Sequence, residues 1–144
     1  MSADSTHIVY YSGAYGNTIR IATRSRCWLI MLKDVLTEIL DGKYDTVDIC
    51  QLKDVAIHKS INGLVLSRTR KSTKPCVFCE IFNGDRLFQW EQDVEEIMTL
   101  SGLIEGLTRD ETPSHQYLAY EDDGCTIELS YNEYDMSAIQ LAIE

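Results

Sequence analysis

The chain has 144 residues, 44% hydrophobic and 25% charged, the make-up of an ordinary globular domain long enough to bury a core. Its net charge of −10 and pI near 4.7 exclude a broad nucleic-acid-binding surface, because phosphate backbones call for net or clustered positive charge. No apolar run approaches the roughly 18 residues that cross a membrane.

The opening MSADST reads as a short flexible N-terminus over 1–6, without the basic-then-apolar pattern of a signal peptide. HIVYYSGAYGNTIRIAT (7–23) then shows two β-prone runs around a turn bracketed by Gly13 and Gly16, which predicts a hairpin. Ser25 is placed to cap a helix in which Trp28, Leu32, Val35 and Ile39 form an apolar stripe. Asp41-Gly42 stops it. TVDICQL (46–52) and NGLVLSRT (62–69) read as strands, with the ambiguous DVAIHKSI between them. RTRKSTKP (68–75) reads as an exposed basic loop. CVFCEIF and RLFQW flank Asn83-Gly84, the strongest short-range hairpin signal.

A second helix is predicted over roughly Glu91–Leu107, where Val94, Ile97, Met98, Ser101 and Ile104 keep helical spacing and acids crowd the first turns. HQYLAY and CTIELSY follow as strands joined by Glu121-Asp122-Asp123-Gly124. The tail EYDMSAIQLAIE has a weak helical pattern. Strands joined by tight turns, with two helices between them, predict one α+β domain over 1–144. It is expected to be a mainly antiparallel sheet with both helices packed on one face.

From Asp110 onward there is no lysine or arginine but nine acids, so the first 109 residues are nearly neutral, with fourteen acids against thirteen bases. The acids fall among tyrosines, in HQYLAYEDDGCTIELSYNEY. Tyrosines beside unneutralised carboxylates suit the capture of a basic protein partner. The residues expected to form that surface are Tyr117, Tyr120, Glu121, Asp122, Asp123, Glu128, Tyr131, Glu133, Tyr134 and Asp135. A solvated acidic segment, and a core role for individual tyrosines, are the alternatives.

Other motifs point to ordinary structure. Cys76-Val77-Phe78-Cys79 lacks a second ligand pair for zinc, and in a strand its thiols point to opposite faces. The five cysteines are an odd number and read as reduced thiols of a cytoplasmic protein. His7, His58 and His115 have no evident nucleophile to serve, and Asp122-Asp123 lacks the alternation of a calcium loop. No enzyme, metal or cofactor is therefore expected. YYSGAYGNT (10–18) resembles the phosphate loop of the flavodoxin family. Tyr15 stands where that family has a hydroxyl residue, and IRIAT alternates as a strand does.

Taken together, the chain resembles the small immunity proteins of bacterial polymorphic-toxin and contact-dependent-inhibition systems. The resemblance covers roughly residues 7–136. It rests on the order of hairpin, apolar helix ending in Asp-Gly, strands and FQW leading into a helix, on HQYL followed by an acidic turn and IELSYNEY, and on small size with strong acidity. It implies a non-enzymatic cytoplasmic inhibitor that docks on a cognate, basic toxin domain. The alternatives are a flavin-binding electron carrier built on Ser12–Thr18 and an adaptor for some other basic protein.

Overall fold

The protein is described by a computed structural model that covers residues 5–13, 16–70, 77–120 and 124–133. Strands β1 (Thr6–Gly13) and β2 (Gly16–Thr23) form the hairpin that the glycine pair predicts, in register from His7↔Ala22 to Gly13↔Gly16. The first strand starts inside the segment expected to be a flexible terminus. Thr6 is fully buried, donates its N–H to the Asp54 carbonyl and its hydroxyl to Thr23 Oγ1 at 2.9 Å.

Helix α1 (Arg26–Leu40) starts where the Ser25 hydroxyl accepts the Trp28 N–H at 3.1 Å, and stops at Asp41-Gly42 with Gly42 at φ +80°. Trp28, Leu29, Leu32, Leu36 and Ile39 make its buried stripe. Val35, expected in that stripe, is half-buried at the core's margin. Strand β3 (Thr46–Asp48) is cut short because the Asp48 carboxylate accepts from the Cys50 N–H at 3.0 Å, which turns Ile49–Gln51 into one 3-10 turn. The ambiguous segment supplies β4 (Val55–Ile57), and β5 (Gly63–Arg68) follows.

Strands β6 (Val77–Phe82) and β7 (Asp85–Gln92) close around Asn83 and Gly84, both left-handed at φ 52° and 85°, as a two-residue hairpin loop requires. Since β7 runs through Gln92, α2 (Val94–Leu107) begins later than the sequence predicts. A capping box fixes its start: Asp93 Oδ1 accepts the Glu96 N–H at 2.8 Å, and Glu96 Oε1 accepts the Asp93 N–H at 2.9 Å. Strands β8 (Ser114–Ala119) and β9 (Thr126–Tyr131) complete an α+β domain.

Among the described residues the nine strands form two mixed sheets, ordered β4-β1-β2-β9-β8 and β3-β5-β7-β6. The hairpins are antiparallel, as expected. The seams β1–β4, β2–β9 and β5–β7 are parallel, so each sheet is mixed, with four antiparallel ladders (β1–β2, β3–β5, β6–β7 and β8–β9) against three parallel ones. These seams join strands distant in sequence, where no turn signal exists to read. One face of the five-stranded sheet supplies Ile8, Ile19, Ile21, Ile127 and Leu129 to a core shared with both helices and with Leu64, Leu66, Phe88 and Trp90 of the second sheet. Tyr10 links the sheets: its ring centroid lies 4.9 Å from that of Phe88 and 4.8 Å from the Arg86 guanidinium carbon.

Candidate functional site

Strand alternation sends every second residue of the five-stranded sheet to the face opposite this core. The register lines up Tyr11, Thr18 and Thr126 in one row across β1, β2 and β9, and Arg20, Glu128 and Tyr117 in the next across β2, β9 and β8. With His115 and Tyr120 they line a recess of about 420 Å³.

Its floor is charged and ordered. Glu128, 6% exposed, receives Arg20 Nη2 at 3.4 Å on one carboxylate oxygen and the Ser130 hydroxyl at 2.8 Å on the other. The Arg20 guanidinium also lies 5.1 Å from the centroid of the Tyr11 ring. Burial, with the charge of Glu128 beside it, holds the Tyr11 phenol above its ordinary range against the opposing pull of Arg20.

Its rim is aromatic. His115 and Tyr117 meet edge to face at 5.3 Å between ring centroids, and Tyr117 and Tyr120 lie 5.9 Å apart. Tyr117 is 39% and Tyr120 61% exposed. Strict alternation would send these two tyrosines to opposite faces. The register shift between Tyr117 and Ala119 re-phases the strand and brings both rings to one side. His115 Nδ1 is 2.7 Å from Glu133 Oε1, which ties the rim to the residues just after β9.

The structure therefore divides the predicted surface. Tyr117, Tyr120 and Glu133 come together at the rim. Glu128 is corrected from an exposed contact to a buried floor residue, because its register partner Arg20 neutralises it. Tyr131, 1% exposed, is corrected to a core residue, since it shares a strand face with Ile127 and Leu129. Glu121, Asp122, Asp123, Tyr134 and Asp135 lie outside the described residues. Sequence reasoning missed Tyr11, Thr18, Arg20 and Thr126. The alternation of polar residues along β2 is a visible signal for Thr18 and Arg20; Tyr11 on β1 and Thr126 on β9 carry none of that kind.

His115, Glu128 and Glu133 offer ligand atoms within 4.8 Å of one another. Glu128 is committed to Arg20 and Ser130, and a guanidinium that close opposes a second cation. The cluster is accounted for by its own hydrogen bonds. The segment after the flavodoxin-like loop is strand β2, with no helix start to receive a phosphate. Of the C-x-x-C pair, Cys79 is exposed on β6 and Cys76 lies outside the described residues. In the basic loop, Arg68 is paired with Asp45 at 3.2 Å and Arg70 is exposed, while Lys71 and Lys74 lie outside the described residues. Among the described residues no helix is long and apolar enough to cross a membrane. No protein-family model, curated protein or solved structure matches the chain.

Proposed function

We propose that the chain is a non-catalytic inhibitor of the immunity type, which captures a basic toxin domain on the outer face of its five-stranded sheet. The observation that carries this reading is the row of His115, Tyr117 and Tyr120 rings, exposed and in mutual contact, on a chain of net charge −10. Exposed tyrosines held in place by neighbouring rings bury area at small entropic cost, and their faces accept arginine or lysine side chains. Glu133 adds a carboxylate at the same rim. The salt-bridged floor keeps the recess in shape while the partner is away.

The acids beyond residue 109 other than the neutralised Glu128 supply the long-range attraction, so docking is fast at low salt and slows as screening shortens its reach to about 8 Å. An acidic plug of this kind blocks a cleft built for nucleic acid by competing with the phosphate backbone. The setting is cytoplasmic, where thiols such as those of Cys27, Cys50 and Cys79 remain reduced.

The test is affinity capture with the wild-type protein and with a Tyr117→Ala/Tyr120→Ala variant as bait, followed by association kinetics with the captured domain at two salt concentrations. A basic domain held by wild type is expected, with each tyrosine contributing about 2 kcal/mol, about 30-fold in Kd. An equally tight complex with the double variant, or association indifferent to salt, would overturn the reading.

A further inference from the structure

We propose that β6 is a self-pairing edge, through which two copies of this chain join their four-stranded sheets into one antiparallel eight-stranded sheet. The surface lies on the other sheet from the aromatic recess, so the proposal stands or falls independently of the inhibitor reading.

Among the described residues each sheet has two edges, and three of the four are blunted. Strands β3 and β4 are only three residues long. Strand β8 carries a register shift between Tyr117 and Ala119. Short edges and bulges are what keep an edge from accepting a foreign strand. Strand β6 has neither device. It is six residues long, VFCEIF, pairs with β7 without a register shift, and contains no proline, lysine or arginine. Ile81 and Phe82 on it are 66% and 67% exposed.

The hairpin loop dictates which backbone groups are open. A two-residue turn makes Phe82 and Asp85 a hydrogen-bonded pair, and bonded and non-bonded pairs then alternate along the ladder. Phe82, Glu80 and Phe78 thus spend their N–H and C=O groups on β7. Those of Ile81, Cys79 and Val77 point outward.

A second copy presents the same three residues, and a two-fold axis normal to the sheet brings them together in few ways. Centring the axis on Cys79 sets Cys79 opposite Cys79, Val77 opposite Ile81 and Phe78 opposite Glu80. Centring it on Glu80 sets two glutamates face to face in the closer, non-bonded kind of pair, which like charges disfavour. The first register is therefore favoured over the second. It sets Val77 against Ile81 and Cys79 against Cys79, and places the strand's single charge opposite Phe78 rather than an acid. An edge with one charge gives a strongly basic or acidic partner little to recognise, whereas an identical strand fits it in both shape and hydrogen bonding.

The experiment is amide hydrogen exchange together with sedimentation, from about 1 μM to about 1 mM, a range suited to an interface below standard size. Concentration should produce a dimer, and added salt should favour it by screening two chains of charge −10. The Cys79 and Ile81 amides should slow at least tenfold on dimerisation, while the Glu80 and Phe82 amides, already bonded to β7, stay as they were. Ile81→Lys should leave a monomer. Diamide, which takes up the two electrons and two protons released, should link Cys79 to Cys79 in a Cys27→Ser background, since bonded partners stand about 5.5 Å apart at Cα. A monomer throughout, protection on β8 instead of β6, or slowing of the even-numbered β6 amides would overturn the proposal. Exchange on the wild-type protein decides it even if Ile81→Lys misfolds.

Discussion

The Arg20–Glu128 pair gives the sharpest test of how the site is built. Its partners are 3.4 Å apart, with 20% of the arginine side chain and 8% of the glutamate side chain exposed. At an effective dielectric of about 20 the gross attraction is about 5 kcal/mol. Desolvation of the carboxylate opposes most of that, and the arginine's contact with water weakens what remains. Glu128→Gln keeps the side-chain shape and the Ser130 contact but removes the carboxylate charge that faces the guanidinium at 3.4 Å. It should cost about 2 kcal/mol, about 6 °C in Tm for a chain of this size. In urea melts of wild type, Glu128→Gln, Arg20→Met and the double variant, the coupling energy should be about 1–2 kcal/mol. The same Glu128→Gln variant should associate with a basic partner at the wild-type rate, because the carboxylate is buried and already neutralised. A coupling within about 0.3 kcal/mol of zero, the limit of simple additivity, would make the pair a surface contact. A marked fall in association rate would show Glu128 acting on the partner directly.

Leu32, with Ile21, Leu36, Ile49, Leu66, Trp90, Leu100, Ile104 and Leu118, walls a void of about 10 Å³ between elements that cannot all collapse inward. Leu32→Ala should therefore cost about 3–4 kcal/mol in denaturant melts, against under about 0.5 kcal/mol for exposed Met98→Ala. Burial, then the charge of Asp48, pushes the Cys50 thiol up to about 12, so N-ethylmaleimide should label Cys27 in the folded protein and spare Cys50 until it unfolds. Burial lowers the His7 pKa below 6.5. As pH falls below that value the unfolded chain takes up a proton that the folded chain refuses, so stability falls, and the fall should be shallower in His7→Gln when the two are compared by melts at pH 7 and pH 5.

Local chemistry made much of this fold readable. Ser25, Asp41-Gly42 and Asn83-Gly84 act through neighbours a few residues away, and each sits where its signal predicts. The Asp93–Glu96 box is equally local, but the polar end of β7, Glu91-Gln92, reads as the first turn of the helix and hides it. Tyr131 could have been assigned from its parity with Ile127 and Leu129. The acids around it, Glu128 and Glu133, mask that alternation. Arg20 and Glu128 are a different matter. They are 108 residues apart, and only the parallel register of β2 with β9 makes them a pair. Turn residues and periodicity act within a single element and hold no record of which strands become neighbours. The bulge that gathers Tyr117 and Tyr120 likewise leaves no turn residue behind.

That same seam sets a clock on synthesis. At about 5–20 residues per second, β9 reaches the growing chain roughly 5–20 s after β2. Closing a loop of this length costs about 4 kcal/mol in chain entropy before any contact repays it. Until then the β1–β2 hairpin is a two-stranded ribbon, marginal on its own, with the Ile19 and Ile21 face uncovered and one flank of β2 open to strands of neighbouring nascent chains. The yield of native protein in a cell should accordingly depend on what shields β2 during those seconds, and the arrival of Glu128 beside Arg20 marks the moment that exposure ends.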